Sequence, residues 1–327
     1  QDARDFISAG RRNLIINGNF DFWQRATSTT GALSNAYGSA DRWIFHTRSC
    51  TTRNISRQSF TTGQSDVPGN PVYFLRGEFS NNSGSIGAFI MQRIEDVRVG
   101  AGQFVTVSFY AKVNSGGGTV EVALSQQFVS GSSATDNTMG SFTPTSEWKK
   151  YYFTTSLPSL SGKSVGSNSY LRLDFRMPSN TAITFDVARV QLEVGKNATE
   201  FEHRSYGEEL ALCQRYYWEI GSYSTGNWAI ISLFIGSSST RAFGSIPTPV
   251  TMRANPAITF SQLNLHSTGT VDVTNLFRYS QTGRNQEYNG LSFEANSASG
   301  LSNGTVYRLN IKNVSGTSGY IRFNAEL

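Results

Sequence analysis

Side chains suited to acid–base or metal chemistry are few in this chain. It has three histidines, His46, His203 and His266, among 327 residues. His46 lies in a strand-like run, where we expect it to pack in the core or at an edge. The residue spacings of zinc proteases, α/β-hydrolases, phosphate-binding loops and CxxC redox pairs do not occur. The sequence therefore predicts a protein that is not an enzyme.

The acidic residues give the same indication. Hydrolysis of a glycosidic bond requires two facing carboxylates. Glu95 and Asp96 are adjacent in a predicted strand, so their side chains point to opposite faces. Glu208 and Glu209 lie at the start of a predicted helix, where acidic residues interact favourably with the helix dipole. Neither pair indicates a hydrolytic site.

Binding of a saccharide uses flat aromatic faces flanked by polar side chains. Two polar loops, 224–227 and 280–289, are flanked by such residues. The predicted ligand-binding residues are Tyr223, Trp228, Arg278, Tyr279, Arg284 and Tyr288. Packing of these aromatic rings at a subunit interface explains the pattern equally well. We expect the other tryptophans, Trp23, Trp43 and Trp148, to belong to a sandwich core.

Composition limits the class of protein. Charged residues make up 16% and aromatic residues 13% of the chain, against roughly 25% charged residues in ordinary globular proteins. The net charge is +5 and the pI about 9.2, but the arginines are scattered rather than arranged as a basic stripe. We therefore expect no nucleic acid partner. No apolar run approaches the ~20 residues that span a bilayer, so we expect no membrane insertion.

The two cysteines, Cys50 and Cys213, are too few for a disulfide framework or a zinc site. We predict two buried free thiols.

Alternating apolar and polar residues predict strands along most of the chain. In the first domain the predicted strands are 13–20, 42–47, 72–79, 87–93, 104–113, 119–128, 149–155, 170–176 and 183–192. Residues 104–113 and 119–128 are expected to form a hairpin across Gly116, Gly117 and Gly118. The segment 131–140, rich in Ser, Thr and Asn, is predicted to be a loop.

One helix is predicted, over Tyr206–Trp218. Ser205 can cap it, with Glu208 three residues further on. Four segments are expected: an N-terminal arm (1–12), a jelly-roll β-sandwich (13–195), a helical junction (196–218) and a C-terminal β domain (219–327). In the last domain, 228–235, 271–279, 304–312 and 320–324 are predicted strands. The fold class is thus all-β, with two β-sandwich domains joined by a short helix.

Several segments resemble bacteriophage tail-fibre proteins. NLIINGNFDFWQR (13–25), ADRW (40–43) and QLEVG (191–195) are similar to their jelly-roll module, which in turn resembles carbohydrate-binding sandwiches. EFEHRSYGEELALCQRYY (200–217) resembles the helical junction of these proteins. PVTMRANPAITF (249–260) and YIRFNAEL (320–327) resemble their small C-terminal β domain.

The resemblance implies a virion tail-fibre or adhesin subunit, commonly a homotrimer. Its partners would be other phage tail or virion proteins and a host surface glycan, and its location the virion. It also implies a possible structural calcium, bound by Asn17, Asp21 and Asp186, although Asp186 could equally bind backbone groups at the sandwich edge. Alternatives are a purely structural head-fibre or collar subunit, a polysaccharide-degrading spike, and a carbohydrate-binding module of a cellular enzyme.

Overall fold

The computed structural model describes residues 11–31, 35–47, 50, 53–80, 88–128, 132–221, 229–278, 290–314 and 317–327. The described chain is almost entirely antiparallel β structure with one helix, which confirms the predicted fold class. It divides into two compact units, one of Gln1–Glu209 with Leu327 and one of Leu210–Glu326.

The first unit contains two sheets. The six-stranded sheet has the order β1 (Ser28–Thr30), β3 (Arg53–Ser59), β4 (Tyr73–Phe79), β11 (Ile183–Val194), β6 (Phe104–Gly116) and β9 (Lys149–Ser156). The five-stranded sheet has the order β2 (Trp43–His46), β5 (Phe89–Glu95), β10 (Tyr170–Arg176), β7 (Val120–Gln127) and β8 (Thr135–Phe142).

The core lies between these sheets because each strand buries alternate residues. In β10, Leu171, Leu173 and Phe175 are fully buried, while Arg172 and Asp174 between them point to the other face. The core includes the large aromatic residues Trp43, Phe109 and Phe185. Trp23 and Trp43 are core residues as expected, but Trp148 is not: it packs against Phe60 and Phe74, each 5.2 Å away between ring centroids.

The predicted hairpin between β6 and β7 is wrong. β6 pairs with β11 and β9, whereas β7 pairs with β10 and β8 in the other sheet. The glycines between them carry the chain from one sheet to the other. Gly116 has φ +76°, and a Cβ there would lie 2.1 Å from the carbonyl oxygen of Ala182, so only glycine permits this approach.

Two further expectations for this unit are wrong. Most of the predicted loop 131–140 belongs to the edge strand β8, since Ser and Thr are accepted in a half-exposed strand. The predicted opening strand 13–20 is irregular, because Asn17 and Phe20 have positive φ. This segment nevertheless runs along β11: the amide of Leu14 donates to Leu192 and that of Val190 to Gly18, both at 2.8 Å.

The helix α1 (Tyr206–Gln214) begins where the sequence predicts. The Ser205 hydroxyl accepts a hydrogen bond from the amide of Glu208 at 3.3 Å. It ends four residues earlier than predicted, because Tyr217–Gly221 forms strand β12 paired with Tyr320–Asn324. The unit boundary falls within α1, between Glu209 and Leu210, and residues 196–205 before it belong to the first unit.

The second unit also has two principal sheets. The first has the order β12 (Tyr217–Gly221), β23 (Tyr320–Asn324) and β15 (Ala257–Ser261). The second has the order β17 (Thr270–Asp272), β16 (Leu263–His266), β20 (Val306–Ile311), β13 (Ala229–Gly236), β14 (Arg241–Pro247), β19 (Gly290–Asn296) and β18 (Asn275–Arg278). The short strands β21 (Asn313–Val314) and β22 (Thr317–Ser318) form a separate pair. The core includes Phe234, Phe293 and Phe323.

The single strand predicted over 271–279 is two strands, β17 and β18, with Val273 and Thr274 between them. Cys50 and Cys213 are buried free thiols, as predicted. Within the described ranges, no helix has the length and apolar character needed to cross a membrane.

Glu202 attaches the segment before α1 to the start of the first unit. Its carboxylate accepts the backbone amides of Arg12 at 3.0 Å and Asn13 at 2.8 Å, and Arg204 lies 3.6 Å away. Burial opposes ionisation, but these two amides and the nearby arginines have the larger combined effect and lower the pKa of Glu202.

This lowered pKa predicts an acid-sensitive attachment. Since the folded protein holds Glu202 ionised, the unfolded chain binds more protons as the pH falls through the ordinary glutamate range, and stability decreases there. We expect wild-type protein to lose more unfolding free energy between pH 7 and pH 4 than Glu202→Gln. Urea titrations at both pH values measure this. Equal losses in both proteins would show that Glu202 does not contribute.

Candidate functional site

The first unit has a cavity of about 370 Å³ beside its opening segment. Its walls come from residues 13–22, from the loop before β4 and from residues 201–209, which end in the first turn of α1. We call it the aromatic pocket and define it by Phe22, Tyr73, Phe201 and Tyr206 together with Asn19, Asp21, Asn70 and His203.

Four aromatic rings line the aromatic pocket. Tyr206 is 70% exposed, and its ring centroid lies 4.8 Å from that of the buried Phe22. The guanidinium of Arg57 lies 4.4 Å from the centroid of the Tyr73 ring. That of Arg189 lies 4.7 Å from the Phe201 ring. An exposed tyrosine supported by a buried ring provides a flat apolar face in a fixed position.

Polar side chains stand beside these rings. The amide of Asn19 donates to Asp21 at 2.9 Å, while Asn70 and His203 are exposed. Burial raises the pKa of Asp21, against the opposing effects of Asn19 and His203. Amides, a carboxylate and an imidazole next to aromatic faces are the groups that hydrogen-bond hydroxyls of a ligand.

The wall of the aromatic pocket is held in place by Arg204. Its guanidinium donates to the carbonyl of Ile15 at 3.0 Å, to the carbonyl of Asn13, and to Glu209 at 3.1 Å. Its side chain is only 6% exposed. These bonds join residues 13–15 to the start of α1, so the two sides of the pocket are positioned before a ligand arrives.

Two carboxylates that line the aromatic pocket have partners within its wall. Glu202 accepts the two backbone amides described above, and Glu209 accepts the amide of Asn17 and pairs with Arg204. Both therefore hold the wall in place, whereas Asp21 lines the cavity beside Asn19.

Most of the predicted ligand-binding residues are not among those that the structure describes. Tyr223, Trp228, Tyr279, Arg284 and Tyr288 lie outside the described residues. The backbone of Arg278 ends strand β18. The glycan-binding role of these six residues stays a prediction.

The residues predicted to bind calcium have different protein partners. Asn17 is bonded to backbone groups of Phe22 and Asp41, and Asp21 lines the aromatic pocket. Asp186 is fully buried and accepts two hydrogen bonds from Arg76, at 2.7 and 2.8 Å. This bonding raises the pKa of Arg76. Among the described residues, no group of three His, Cys, Asp or Glu side chains could hold a metal ion. The calcium site of Asn17, Asp21 and Asp186 stays a prediction.

Sequence reasoning did not single out Tyr73, Phe201 or Tyr206. A signal was present, because Phe201 and Tyr206 bracket the polar run His203, Arg204 and Ser205. The same pattern of aromatic residues around a polar segment predicts Tyr223 and Trp228 as ligand-binding residues. The contribution of Tyr73 depends on the fold, since it is more than 120 residues away in the sequence.

The outer face of the five-stranded sheet is a second polar surface. Asp174 is fully buried there and pairs with Arg172 at 2.6 Å and Arg176 at 3.0 Å. Arg176 also pairs with Asp136 and Glu121. Because these charged groups form ion pairs with one another, fewer of them are available to a ligand. This surface is therefore a weaker candidate for a binding site than the aromatic pocket.

No family model matches this sequence, and no curated protein matches it. The structure is similar to the xylan-binding domain CBM22-1 from Paenibacillus barcinonensis, with 12% identity and a TM-score of 0.34 over 58% of this chain and 100% of that one. It is similar to the family 11 carbohydrate-binding module from Clostridium thermocellum, with 11% identity and a TM-score of 0.30 over 51% and 94%. It is also similar to the enzymatically active domain of tailspike protein 4 from bacteriophage CBA120, with 14% identity and a TM-score of 0.34 over 56% and 21%. These likenesses are too distant to transfer a ligand to this chain.

Proposed function

We propose that this protein is a virion tail-fibre or adhesin subunit that attaches a phage to its host by binding surface polysaccharide. The observation that carries the proposal is the aromatic pocket, where the exposed ring of Tyr206 stands beside polar side chains in a preformed cavity. The sequence resemblance to tail fibres supports the virion location. The protein acts by holding a glycan and does not cleave it.

The proposed assembly is a homotrimer that also contacts other virion proteins. It is supported by an apolar strip on the outer face of the seven-stranded sheet of the second unit. The strip consists of Ile230, Leu233, Ile235 and Val306, each more than half exposed. Four exposed apolar side chains on the neighbouring strands β13 and β20 mark a surface suited to contact with another protein. Three copies would convert weak glycan contacts into firm attachment.

Removal of Tyr206 tests glycan binding. We expect Tyr206→Ala to weaken binding of the protein to host cells about tenfold, since loss of an aromatic contact of about 1.4 kcal/mol has that effect. Labelled protein titrated onto host cells measures the half-saturating concentration. Tyr152→Ala is the matched control, because Tyr152 is 64% exposed on strand β9 but does not line the pocket.

The outcomes separate adhesion from the alternatives. If the wild-type protein itself does not bind host cells, the protein is a structural head-fibre or collar subunit. Release of reducing ends from host polysaccharide would instead identify a degrading spike. If binding to host cells weakens only in the triple variant Tyr223→Ala/Trp228→Ala/Tyr288→Ala, the glycan binds at the predicted loops and not in the aromatic pocket.

A further inference from the structure

The first unit has a second and larger cavity, of about 630 Å³. It lies where the start of the unit meets the turn after β5 and the end of β11. We call it the basic cavity and define it by Arg11, Arg12, Arg98 and Lys196, its four cationic side chains. Its volume is within the range of small-molecule sites, roughly 300–1,000 Å³.

The basic cavity has an excess of positive charge. Among the described lining residues, the one carboxylate is that of Glu193, which is 4% exposed. Glu193 accepts hydrogen bonds from the amide and hydroxyl of Thr199, at 2.9 and 2.8 Å, and from Gln191 at 3.0 Å. These bonds occupy the carboxylate within the wall, so the cations dominate the surface that a ligand would meet.

Among the described contacts, those of Arg98 and Lys196 are weak. Arg98 contacts Asp96 at 3.3 Å with its side chain 44% exposed, and such exposed pairs contribute little to stability. Arg11 pairs with Glu208 at 2.9 Å, and Arg12 donates to the Thr199 hydroxyl at 3.0 Å. The ammonium of Lys196 lies 4.1 Å from the centroid of the Phe104 ring, a contact that leaves its donors accessible.

The rest of the lining combines hydroxyl-binding and apolar groups. Gln103, Asn197 and Thr199 supply amide and hydroxyl groups. Leu14, Val99 and Val194 supply an apolar wall, and Val194 is 45% exposed. A bare inorganic anion would use the charges alone, whereas a sugar ring carrying a carboxylate uses the charges, the polar groups and the wall.

We propose that the basic cavity binds the carboxylate-bearing residue of an acidic polysaccharide, with Arg98 and Lys196 facing the carboxylate. The proposal deepens the proposed function and rests on it, since it assigns a second glycan site and the charge of the glycan.

Titration calorimetry with purified protein tests this site directly. The probes are tetragalacturonate, which carries four carboxylates, and its methyl ester, which has the same size without charge. We expect the acid to bind at least tenfold more tightly than the ester, and the difference to shrink at high salt because the contact is ionic. Arg98→Gln/Lys196→Gln should lose at least tenfold in affinity for the acid. Lys163→Gln, the control, changes a lysine outside the cavity and should bind as wild type.

Two kinds of titration result, and one result with Tyr206→Ala, would overturn the proposal. One is equal affinity for the acid and its ester, or an unchanged affinity in the double variant. The other is displacement of the acid by an equimolar amount of inorganic phosphate, which would make this a general anion site. Tyr206→Ala with tetragalacturonate separates the two sites: retained binding supports the basic cavity as independent, whereas lost binding assigns the acid to the aromatic pocket. The cell-binding result for Tyr206→Ala tests the proposed function, and it does not depend on the calorimetric results for the basic cavity.

Discussion

Asn17→Ala is expected to lower the free energy of unfolding of the first unit by about 3 to 4 kcal/mol. The Asn17 amide nitrogen donates to the carbonyls of Phe22 at 2.8 Å and Asp41 at 3.0 Å, and its oxygen accepts the amide of Phe22 at 3.0 Å. Asn17 is 1% exposed, so alanine would leave these backbone groups unpaired, at about 1 kcal/mol for each lost bond.

The backbone adds to this cost. Asn17 has φ +57°, a conformation that asparagine tolerates better than alanine, which loses a further 1 kcal/mol or so there. The carbonyl of Asn17 also accepts the indole N–H of the fully buried Trp43 at 3.0 Å. Displacement of this turn would therefore disturb the sandwich core as well. Urea denaturation followed by tryptophan fluorescence measures the loss.

The same variant decides between the two roles considered for Asn17. Asn19→Ala is the control, because in the described contacts its amide bonds to one side chain, Asp21, on the partly exposed side of the turn. We expect a loss below about 1 kcal/mol. If hydrogen bonds alone hold this turn, the free energy of unfolding of the wild type is the same with calcium as with a chelator. A calcium-dependent rise in the melting temperature of wild type that disappears in Asn17→Ala would support the predicted metal site.

Strand positions were predictable where burial on one face imposes strict alternation. β10 has the predicted bounds because Leu171, Leu173 and Phe175 alternate with charged residues, and β23 is equally regular. Strand partners were not predictable: β6 and β7 have the pattern of a hairpin, yet each pairs in a different sheet. Alternation specifies which face is buried, and the core between the sheets decides which strand is the neighbour.

The candidate site was predictable only in part. Residues 13–20 lie along β11, but the role of Asn17 depends on backbone groups of Phe22 and Asp41, which no local pattern identifies. The predicted end of α1 was wrong for a related reason. Tyr217 continues the apolar pattern of the helix, and only pairing with β23 places it in a strand. Long-range pairing therefore overrode local preference at both positions.

Leu233→Asp/Ile235→Asp is expected to convert the proposed trimer into monomers. The two side chains are 58% and 56% exposed on one face of β13, while Phe234 between them is fully buried. Ile235 is directly opposite Val306 on β20, so the substitutions interrupt the centre of the apolar strip. Their folded-state cost should be small, because charged side chains at exposed positions stay hydrated.

The effect on assembly should be large. Burying a leucine or isoleucine fully is worth about 1.5 to 3 kcal/mol, so two half-exposed side chains contribute roughly 2 to 3 kcal/mol at each contact. A cyclic trimer repeats every substitution at three contacts, and each 1.4 kcal/mol is a tenfold change in affinity. We expect the concentration needed for half-assembly to rise at least about hundredfold. Sedimentation velocity over a concentration series measures this.

Tyr152→Asp provides the matched control for charge and exposure, because Tyr152 is a strand residue of the first unit, 64% exposed. It should assemble as wild type does. A trimer that persists in Leu233→Asp/Ile235→Asp would place the contact elsewhere, with the predicted junction helix as the next surface to change. Monomeric wild-type protein at every concentration would remove the trimer altogether. Conversion to monomers with unchanged binding of tetragalacturonate in solution, but weaker attachment to cells, would show that the strip acts through the number of linked sites.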